Sequence, residues 1–554
     1  MTADSGSLVH AVAFSGTLST VLRDAADRWG PRTVLYCDRR RQQSSFAELD
    51  ELADHVASAL GSRGIGAGSR VAIMFHNDLE FPACWLGIAR AGAATVPLNV
   101  RLGPADLAHA VAAARPALMI ADEEFSDVLA SALPLVPEAD RPTSLLIRVG
   151  AAAGGLREEL AAPEPSAAAP SGPGSGAADG PWPESTANVQ FTSGSTGLSK
   201  GCLLSHRYWI AIGEAMRLHG PRLHSDDVLL TAQPFSYMDP QWNLVAALLT
   251  GARLVVLERF RSSTFWPAVQ EHGATFFYCL GVMPAMLLRT PAREGERDHR
   301  VRYIACSAIP AGRHAELEDR FGAPWYELYG STETGADVLV EADEHDLALR
   351  SGTIGRALPH REVRIVDERG APVPRGTVGR LLVRGTALSD GYLDDGAGSS
   401  AGTGWYATGD LAVQTPDGYL HFRGREKDII RRSGENVSAA QVEEVVQAHP
   451  AVRVCACVPV ADEIRGEEIK AYVVPVPGTA VELADLIEHT RTQLASFKVP
   501  RFWELRTGLP LTPSEKVAKA ELRSEPVESL GPCYDAVSDR WQEHVAPLPP
   551  ASLR

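Results

Sequence analysis

Lysine is scarce in this chain, and several other features are missing from it. Only six of its 53 basic residues are lysine, and arginine supplies the rest of the positive charge. Acidic residues number 69, which gives a net charge of −16 that would repel nucleic-acid phosphates and anionic lipid surfaces. The eight cysteines include no CxxC pair, and charges interrupt every apolar run before the ~18 residues of a membrane helix. We therefore expect no nucleic-acid partner, no membrane span and no paired-cysteine zinc site.

The cysteines and the N-terminus also bear on the compartment. The first twenty residues, MTADSGSLVHAVAFSGTLST, lack the basic segment that opens a secretory signal. Scattered, unpaired cysteines are typical of a reducing environment. Both observations predict a cytoplasmic protein. The sequence leaves its oligomeric state open, with a homodimer among the options.

The 554 residues are organised as a large α/β region and a smaller region of different pattern. Helical stretches alternate with short apolar runs over the first 150 residues, which indicates α/β layers around a largely parallel sheet. Residues 161–180 are almost all Ala, Pro, Gly or Ser, the composition of a flexible insertion. We predict an N-terminal domain over 1–426 with an insertion at about 151–186, a small α+β domain over 427–530, and a tail over 531–554.

The smaller region contains a clear helix signal. Ser438 precedes Gln441 by three residues at the start of the amphipathic SAAQVEEVVQAHP. This is the spacing of a capping box, in which each side chain bonds the other residue's backbone N–H. We predict a helix that begins there and is capped in this way.

One loop has the composition of a phosphate-binding site. Residues 192–201, TSGSTGLSKG, follow a strand signal at 187–191 and precede a helix candidate that begins at Ser205. Glycines let consecutive backbone N–H groups face an anion, hydroxyls add donors, and Lys200 supplies countercharge. The loop is not of the Walker A type, because Gly197 is followed by Leu198 rather than by a lysine. We interpret it as a cradle for a polyphosphate.

Two shorter strings suggest the rest of a nucleotide site. Residues 329–335, YGSTETG, place Glu333 among small and hydroxyl residues, which suits a hard divalent cation that bridges phosphate oxygens. Residues 404–410, GWYATGD, end in Asp410, whose carboxylate is positioned to accept both hydroxyls of a ribose. From these strings alone, a solvated loop glutamate and an ordinary turn aspartate stay as alternatives.

Six strings in this order resemble the acyl-adenylate-forming superfamily, which includes acyl-CoA synthetases, peptide-synthetase adenylation domains and firefly-type luciferases. Beyond the three above they are GREKD at 424–428, SGENV at 433–437 and LTPSEK at 511–516, and the match covers roughly 17–523. The string RRSGENVSAAQVEE is most similar to acid:CoA ligases of the carnitine/crotonobetaine-CoA ligase type. The resemblance implies a large N-terminal domain of layered α/β subdomains with a β-barrel-like part, and a small mobile α+β C-terminal domain.

The resemblance also implies the ligands, ATP, Mg²⁺ and coenzyme A, and the residues that hold them. Glu333 would coordinate Mg²⁺, and Lys516 would be the catalytic lysine, assisted by Lys200 and Thr196. The ATP-binding residues would be Thr192, Ser193, Gly194, Ser195, Thr196, Gly197, Lys200, Tyr329, Gly330, Thr332, Asp410 and Arg425.

Further positions follow from the same resemblance. Lys427 would be the hinge about which the C-terminal domain rotates between two half-reactions. The loop that receives coenzyme A would include Ser433, Gly434 and Glu435, and the acyl pocket would be walled by Tyr237, Met238, Asp239, Trp242, Cys279 and Gly281. Asp239 raises the alternative of an amine-bearing substrate, because peptide-synthetase adenylation domains use an aspartate in a nearby segment.

The implied activity is that of an ATP-dependent, AMP-forming acid:CoA ligase. A carboxylic acid would become an acyl-adenylate with release of pyrophosphate, and a thiol would then displace AMP. Two alternatives stay open: loading of a carrier-protein pantetheine, and a non-catalytic nucleotide-binding relative. Two departures from the family pattern are Glu515, in place of a glycine before Lys516, and Ser236, in place of a histidine in many acyl-CoA synthetases.

Overall fold

The computed structural model describes residues 15–147, 183–192, 199–280, 283–310, 312–393, 404–433, 435–512, 517–526 and 529–548. Its helices are α1 Leu18–Trp29, α2 Phe46–Gly61, α3 Glu80–Arg90, α4 Pro104–Ala114, α5 Ser126–Ala132, α6 His206–Leu218, α7 Met238–Thr250, α8 Ser262–Glu271, α9 Met283–Arg289, α10 His314–Phe321, α11 His345–Ser351, α12 Ala439–Ala448, α13 Leu483–Gln493 and α14 Lys519–Arg523. Searched over these residues, the helices include none whose length and apolarity suit a bilayer crossing.

The strands follow the same order along the chain. They are β1 Thr33–Cys37, β2 Gln42–Ser45, β3 Arg70–Met74, β4 Ala94–Pro97, β5 Leu118–Asp122, β6 Thr143–Ile147, β7 Thr186–Thr192, β8 Lys200–Ser205, β9 Val228–Thr231, β10 Arg253–Val256, β11 Phe276–Leu280, β12 Tyr303–Ser307, β13 Trp325–Ser331, β14 Gly335–Leu339, β15 Arg356–Ala357, β16 Arg361–Val366, β17 Val378–Gly385, β18 Tyr406–Gln414, β19 Leu420–Arg425, β20 Ile429–Arg432, β21 Glu435–Ser438, β22 Val452–Asp462, β23 Gly466–Pro475, β24 Phe502–Leu505, β25 Cys533–Asp535 and β26 Arg540–Gln542.

Two large, mostly parallel sheets form the body of the N-terminal region. One has nine strands in the order β15-β14-β13-β12-β11-β9-β10-β1-β2, and the other has six in the order β6-β5-β3-β4-β7-β8. The predicted α/β layering is confirmed. A large apolar core includes buried residues of α1, α2, α3, α6 and α7 together with side chains from both sheets.

The α2–α3 pair shows how the sequence produces this packing. Ser45 and Glu48 form a capping box at the start of α2, and the helix buries an apolar face that includes Leu49 and Val56. Gly87 of α3 lies against that face so closely that a Cβ there would come within 2.4 Å of the Val56 Cβ. The glycine therefore allows the two helices to approach each other.

The barrel-like part implied by the resemblance corresponds to a smaller antiparallel sheet. Strands β16, β17, β18 and β19 are hydrogen-bonded in chain order. Over the described residues the first and last strands do not pair with each other, so the sheet stays open and is not a closed barrel. Its importance lies in its last two strands, which carry Asp410 and Arg425 as direct cross-strand partners.

The C-terminal region is an α+β unit built on seven strands. The order is β21-β20-β23-β24-β25-β26, with β22 paired to the free side of β23. Helices α12 and α13 supply buried side chains to its core. The segment after residue 530, predicted as a tail, contributes β25 and β26 to this sheet.

The predicted capping box at α12 is wrong, although the helix itself is confirmed. Ser438 is the N-cap residue, but its side chain makes no capping hydrogen bond. Its register partner in the β20–β21 hairpin is Ile429. The Gln441 side-chain oxygen instead accepts a hydrogen bond of 2.9 Å from Lys498 Nζ. A tertiary contact has therefore replaced the local one.

Candidate active site

The predicted phosphate loop connects two antiparallel strands. Thr192, at the end of β7, pairs with Lys200, at the start of β8. Residues 193–198, which include Ser193, Gly194, Ser195, Thr196 and Gly197, lie outside the described residues. The helix predicted to begin at Ser205 is confirmed as α6, with Ser205 as its N-cap residue, and β8 lies between the loop and this helix. The N-terminus of α6 therefore does not directly follow the loop, and the phosphate-binding donors expected there are those of the loop itself.

Lys200 and Glu333, predicted from separate strings, come together at one aromatic side chain. The Tyr392 hydroxyl donates a hydrogen bond of 2.8 Å to Glu333 Oε1. Lys200 Nζ lies 5.3 Å from the centre of the Tyr392 ring, within the range of a cation–π contact. The backbone of residues 390–393 pairs with β8, which fixes the tyrosine at this point. The tertiary structure thus places a cation and a carboxylate on either side of Tyr392.

Sequence reasoning missed Tyr392 altogether. It belongs to the short string SDGYLDD, which has no distinctive spacing. Burial raises the pKa of its hydroxyl, and the charge of Glu333 raises it further. The hydroxyl is therefore protonated at neutral pH and acts as the donor to Glu333. A signal in the sequence would have been hard to find, because the contact joins positions 59 residues apart.

The turn that carries Glu333 is held rigidly from both sides. The Tyr208 hydroxyl donates a 2.8 Å hydrogen bond to the Thr332 carbonyl oxygen. On the other side, the buried Arg361 guanidinium donates to the Thr334 carbonyl and pairs with Asp337 at 2.7 Å. These contacts fix the backbone around Glu333, so its carboxylate is presented in a defined position.

Gly330 is required by the same turn. A Cβ at this position would lie only 1.8 Å from the carbonyl oxygen of Gly335. Any side chain would therefore force β13 and β14 apart next to Tyr329. The glycine of the YGSTETG string is explained by this close backbone approach.

The second group of predicted nucleotide-binding residues is also assembled. The Tyr329 hydroxyl donates a 2.6 Å hydrogen bond to Asp410 Oδ2, and Arg425 Nε lies 3.3 Å from Asp410 Oδ1. Burial, followed by the charge of Asp410, raises the pKa of Tyr329, so its hydroxyl stays protonated. Asp410 is buried and Arg425 is about half exposed. The carboxylate is thus oriented by one neutral and one cationic partner.

The acyl-pocket residues do not all face the same way. Trp242 meets Tyr278 edge to face, with ring centres 5.8 Å apart, and Met238 packs in the same core. Cys279, the next residue of β11, is buried in a different core with Cys306 and Phe277. Successive side chains of a strand point to opposite faces. Cys279 therefore lies on the other side of the sheet from Trp242, and Gly281 lies outside the described residues.

Asp239 and Tyr237 are both engaged in hydrogen bonds. Asp239 is only 4% exposed, and its two carboxylate oxygens accept hydrogen bonds from Thr231 Oγ1 and from Asn243 Nδ2. Burial raises its pKa to about 7. The carboxyl group is thus used within the protein, which does not favour the amine-partner alternative. The Tyr237 hydroxyl accepts a 2.9 Å hydrogen bond from Asn99.

A buried chain of amides connects the strand before the phosphate loop to the helix of the acyl pocket. Asn188 and Gln190 on β7 both face Gln241 of α7, and Asn188 Nδ2 donates a 2.7 Å hydrogen bond to Gln241 Oε1. Gln241 Nε2 in turn donates to the Phe235 carbonyl at 2.8 Å. All three amides are at most 3% exposed. No sequence signal points to this chain, because Asn188 and Gln241 are 53 residues apart.

The predicted hinge is tied to the last helix of the C-terminal region. Lys427 lies in a single turn, residues 426–428, and its carbonyl oxygen accepts a 3.0 Å hydrogen bond from Arg523. Asp428 is 3.2 Å from Arg523 and 3.7 Å from Lys519 Nζ. Burial, followed by the charge of Arg425, lowers the pKa of Lys427. The turn is thus bonded directly to α14.

The remaining predicted residues are placed only in part. Ser433 lies at the β20–β21 turn with a φ of +53°, and Glu435 is exposed at the start of β21. Gly434 and residues 513–516, which include Lys516, lie outside the described residues. Leu511 and Val517 form an isolated bridge on either side of the latter segment. Lys519, three residues after Lys516, pairs at 2.7 Å with the buried Glu443, so its ammonium group is engaged within the C-terminal region.

Most of the chain is similar to proteins of one known family. The chain matches the AMP-binding enzyme family over residues 22–393 and the AMP-binding enzyme C-terminal domain over 441–516. It is 30% identical over 522 residues to the crotonobetaine/carnitine–CoA ligase of Salmonella paratyphi C, covering 90% of this chain and 97% of that one. The crotonobetaine/carnitine–CoA ligase of Salmonella typhimurium is similar to this chain with the same identity and coverage.

Solved structures agree with the sequence comparison. ATP-bound MatB from Rhodopseudomonas palustris is 26% identical, with a TM-score of 0.79 over 92% of this chain and 98% of that one. The anthranilate CoA ligase AuaEII, in complex with anthranoyl-AMP, has a TM-score of 0.81 at 21% identity and covers 93% and 98% of the two chains. The latter likeness shows the fold alone. Together with the family matches, these findings establish that the chain belongs to the AMP-binding enzyme family, as its six ordered strings predict.

Proposed function

We propose that the protein is an ATP-dependent, AMP-forming acid:CoA ligase. The observation that carries this proposal is the convergence at Tyr392 of Lys200 and Glu333, two residues 133 positions apart whose strings suit opposite tasks on a polyphosphate. The first half-reaction joins a carboxylate oxygen to the α-phosphorus of ATP and breaks its bond to pyrophosphate. In the second, the thiol sulfur of coenzyme A bonds the acyl carbon, AMP leaves, and the thiol proton passes to solvent.

Lys200 and the loop before it form the phosphate end of the site in this proposal. Thr192, Ser193, Gly194, Ser195, Thr196 and Gly197 would bind the β and γ phosphates with Lys200. Negative charge grows on the phosphoryl and leaving oxygens during the displacement, so fixed positive charge stabilises the transition state more than the ground state. Lys200 supplies such charge near Tyr392, and Thr196 adds a hydroxyl donor.

Glu333 suits Mg²⁺ by its donor chemistry. Its carboxylate is a hard oxygen ligand, held by a rigid turn and by the Tyr392 hydroxyl. Bound Mg²⁺ would neutralise phosphate charge. The role of the protein's own residues is to hold this carboxylate in place: Tyr392 orients one oxygen, and the bonds from Tyr208 and Arg361 fix the backbone.

Asp410 is proposed to hold the ribose, with Tyr329 and Arg425 as orienting partners. A carboxylate can accept hydrogen bonds from both ribose hydroxyls while it keeps the 2.6 Å bond from Tyr329. Gly330 and Thr332 would lie along the adenine and α-phosphate side. Tyr329 and Ser331 lie on the same strand, β13, and Glu333 follows two residues later. The residues proposed for the ribose and for the metal are therefore carried by adjacent backbone.

Lys516 is proposed as the catalytic lysine and Lys427 as the hinge, which places the domain boundary at 426–427. The position of Lys516 in LTPSEK supports its role, and the bonds from α14 to the 426–428 turn support a coupled movement of the two segments. After adenylation, rotation at the hinge would withdraw Lys516. The Ser433, Gly434 and Glu435 loop would then meet the coenzyme A thiol.

The acid is expected to be a small molecule bound beside α7. Tyr237, Met238 and Trp242 offer aromatic and apolar surface, whereas the carboxylate of Asp239 is committed to internal hydrogen bonds. Carnitine and crotonobetaine, after which the Salmonella relative is named, are test substrates together with aromatic and short-chain acids. We propose a cytoplasmic location, consistent with eight free cysteines; a homodimer stays a prediction.

The test is AMP and pyrophosphate release measured over a panel of acids, with coenzyme A, with a holo carrier protein, and with neither acceptor. We expect acid-dependent pyrophosphate release and AMP release that is accelerated by coenzyme A. Turnover only with the carrier protein would favour the carrier-loading alternative. Absence of ATP consumption with every acid, in a protein that binds ATP, would favour a non-catalytic role.

A further inference from the structure

A group of metal-ligand side chains lies outside the proposed ATP site. His314 and Glu318 are four residues apart on α10 and share one face of the helix. His345, the first residue of α11, reaches the same point from a separate helix. Ligand atoms from the three side chains all lie within 4.8 Å of one another. We name these three residues the His–Glu cluster.

Two separations within the cluster are close to those of a tetrahedral site, and the ligand atoms of the two histidines lie within 4.8 Å of each other. Glu318 Oε1 is 3.2 Å from His314 Nε2 and 2.6 Å from His345 Nε2. Zinc bonds of ~2.0–2.1 Å in tetrahedral geometry place neighbouring ligand atoms ~3.3 Å apart. The first separation already matches, and the second needs an outward shift of less than ~1 Å. The side chains are 14–20% exposed, so water has access to a fourth position.

Hydrogen bonding around the cluster resembles the surroundings of bound metal. Trp325 N–H donates a 2.8 Å hydrogen bond to Glu318 Oε1. A backbone N–H in this position orients a carboxylate ligand. The Asp346 carboxylate, 3.6 Å from His345 Nδ1, is too distant for a hydrogen bond. Without a metal, the backbone N–H and both imidazoles converge on one carboxylate oxygen.

His314 also has a hydrogen-bond partner on the backbone beside the cluster. His314 Nε2 is also 2.9 Å from the Trp325 carbonyl oxygen, so in the metal-free form it can donate there or to Glu318. A metal would take the lone pairs of the two nitrogens, and the protons would leave to solvent.

We propose that the His–Glu cluster binds one Zn²⁺ or a similar divalent transition metal, with water as the fourth ligand. Two imidazoles and one carboxylate favour such a metal over Mg²⁺ or Ca²⁺, which prefer all-oxygen sites. The metal would join α10 and α11 next to Trp325, the first residue of β13. The same strand ends in the Tyr329–Ser331 segment, so the metal would stabilise the support of the nucleotide site without touching it. The proposal is independent of the proposed function.

The test is binding of Co²⁺ to the full-length protein after treatment with a chelator. Tetrahedral Co²⁺ has a visible absorption band that reports its ligands. We expect the band to saturate at an equimolar amount of Co²⁺ and to disappear when Zn²⁺ is added. His345→Gln should abolish it, because the amide can still donate to Glu318 but no longer offers an imidazole nitrogen. His314→Gln provides a second variant for the same loss.

His219→Gln is the matched control. His219 also contacts a glutamate, with Nδ1 2.9 Å from Glu341 Oε1, but no third ligand of the described residues completes a cluster there. This variant should bind Co²⁺ as the unmodified protein does. The absence of a band in the unmodified protein, or equal binding by all the variants, would overturn the proposal. So would a loss in the control that equals the loss in His345→Gln.

Melting temperature gives a second measurement on the same proteins. Zn²⁺ should raise the melting temperature of the unmodified protein and of His219→Gln, and leave that of His345→Gln unchanged. An equal rise in all three proteins would point to binding elsewhere and refute the assignment.

Discussion

The ion pair between Lys519 and Glu443 leads to a prediction about the stability of the C-terminal region. The two charged groups are 2.7 Å apart, and their side chains are only 18% and 12% exposed. Lys519→Met would leave Glu443 buried and without its cationic partner. Breaking a buried pair in this way typically costs 3–5 kcal/mol, and because some solvent access stays we expect about 3 kcal/mol of lost stability.

The loss should depend on pH in a definite direction. Burial, partly offset by Lys519, already raises the pKa of Glu443 above its model-compound value of 4.5. Removal of Lys519 would raise this pKa further. An acid whose pKa is higher in the folded state than in the unfolded state binds protons more tightly in the folded state. The folded protein therefore loses stability as pH rises from 4.5 through the pKa of the folded state. The stability lost through Lys519→Met should therefore be larger at pH 8 than at pH 5.

Hydrogen exchange measured by mass spectrometry is the suitable assay, because peptides from β22 and β23 report the C-terminal region separately from the rest of the chain. Glu443→Gln/Lys519→Met is the matched control, since it removes both charges and should recover most of the loss. A cost below about 1 kcal/mol for Lys519→Met, or the same cost at both pH values, would refute the reasoning. A double variant whose loss of stability equals the sum of the losses of its two single variants would also refute it.

Three further predictions concern the reaction. Lys516→Ala should slow adenylation about 10²–10³-fold, measured as pyrophosphate release, and spare coenzyme A attack on pre-made acyl-adenylate, because one donor to developing charge is lost; normal adenylation would contradict its role. Lys427→Pro should retain adenylation and lose thioester formation, since proline removes the freedom of φ that a hinge needs, and equal loss of both steps would argue against the hinge. Tyr392→Phe should weaken the apparent affinity for ATP and Mg²⁺ by about 1.5–3 kcal/mol, the value of a hydrogen bond to a charged group; an unchanged KM for ATP at limiting Mg²⁺ would show that Tyr392 does not position Glu333.

Much of the fold and part of the site could be predicted from the sequence. The helix beginning at Phe46 follows from its capping box and apolar period, and β7 and β13 follow from short apolar runs before glycine-rich strings. These signals are local, and local backbone preferences act over a few residues. The family followed from six such strings in a fixed order, and the matches over 22–393 and 441–516 confirm it.

Other features could not be predicted, because they depend on contacts between distant positions. The capping box expected at Ser438 is absent, and Lys498 bonds the Gln441 side chain that would have formed it. Cys279 was assigned to the acyl pocket from its place in the string, but the pleat of β11 directs it into the core on the other face of the sheet. The side of a buried strand that faces a pocket is decided by what packs against it.

The sequence alone determined which chemical groups this protein can offer to a nucleotide and in what order along the chain they occur. Which of these groups meet depends on the folded chain: Lys200 and Glu333 come together at Tyr392, and Lys519 pairs with Glu443 rather than with a substrate. The reason is the distance along the chain over which each effect acts. Turn and strand preferences are properties of neighbouring residues, whereas the position of a charged side chain is fixed by burial and by partners that the fold brings from far along the chain.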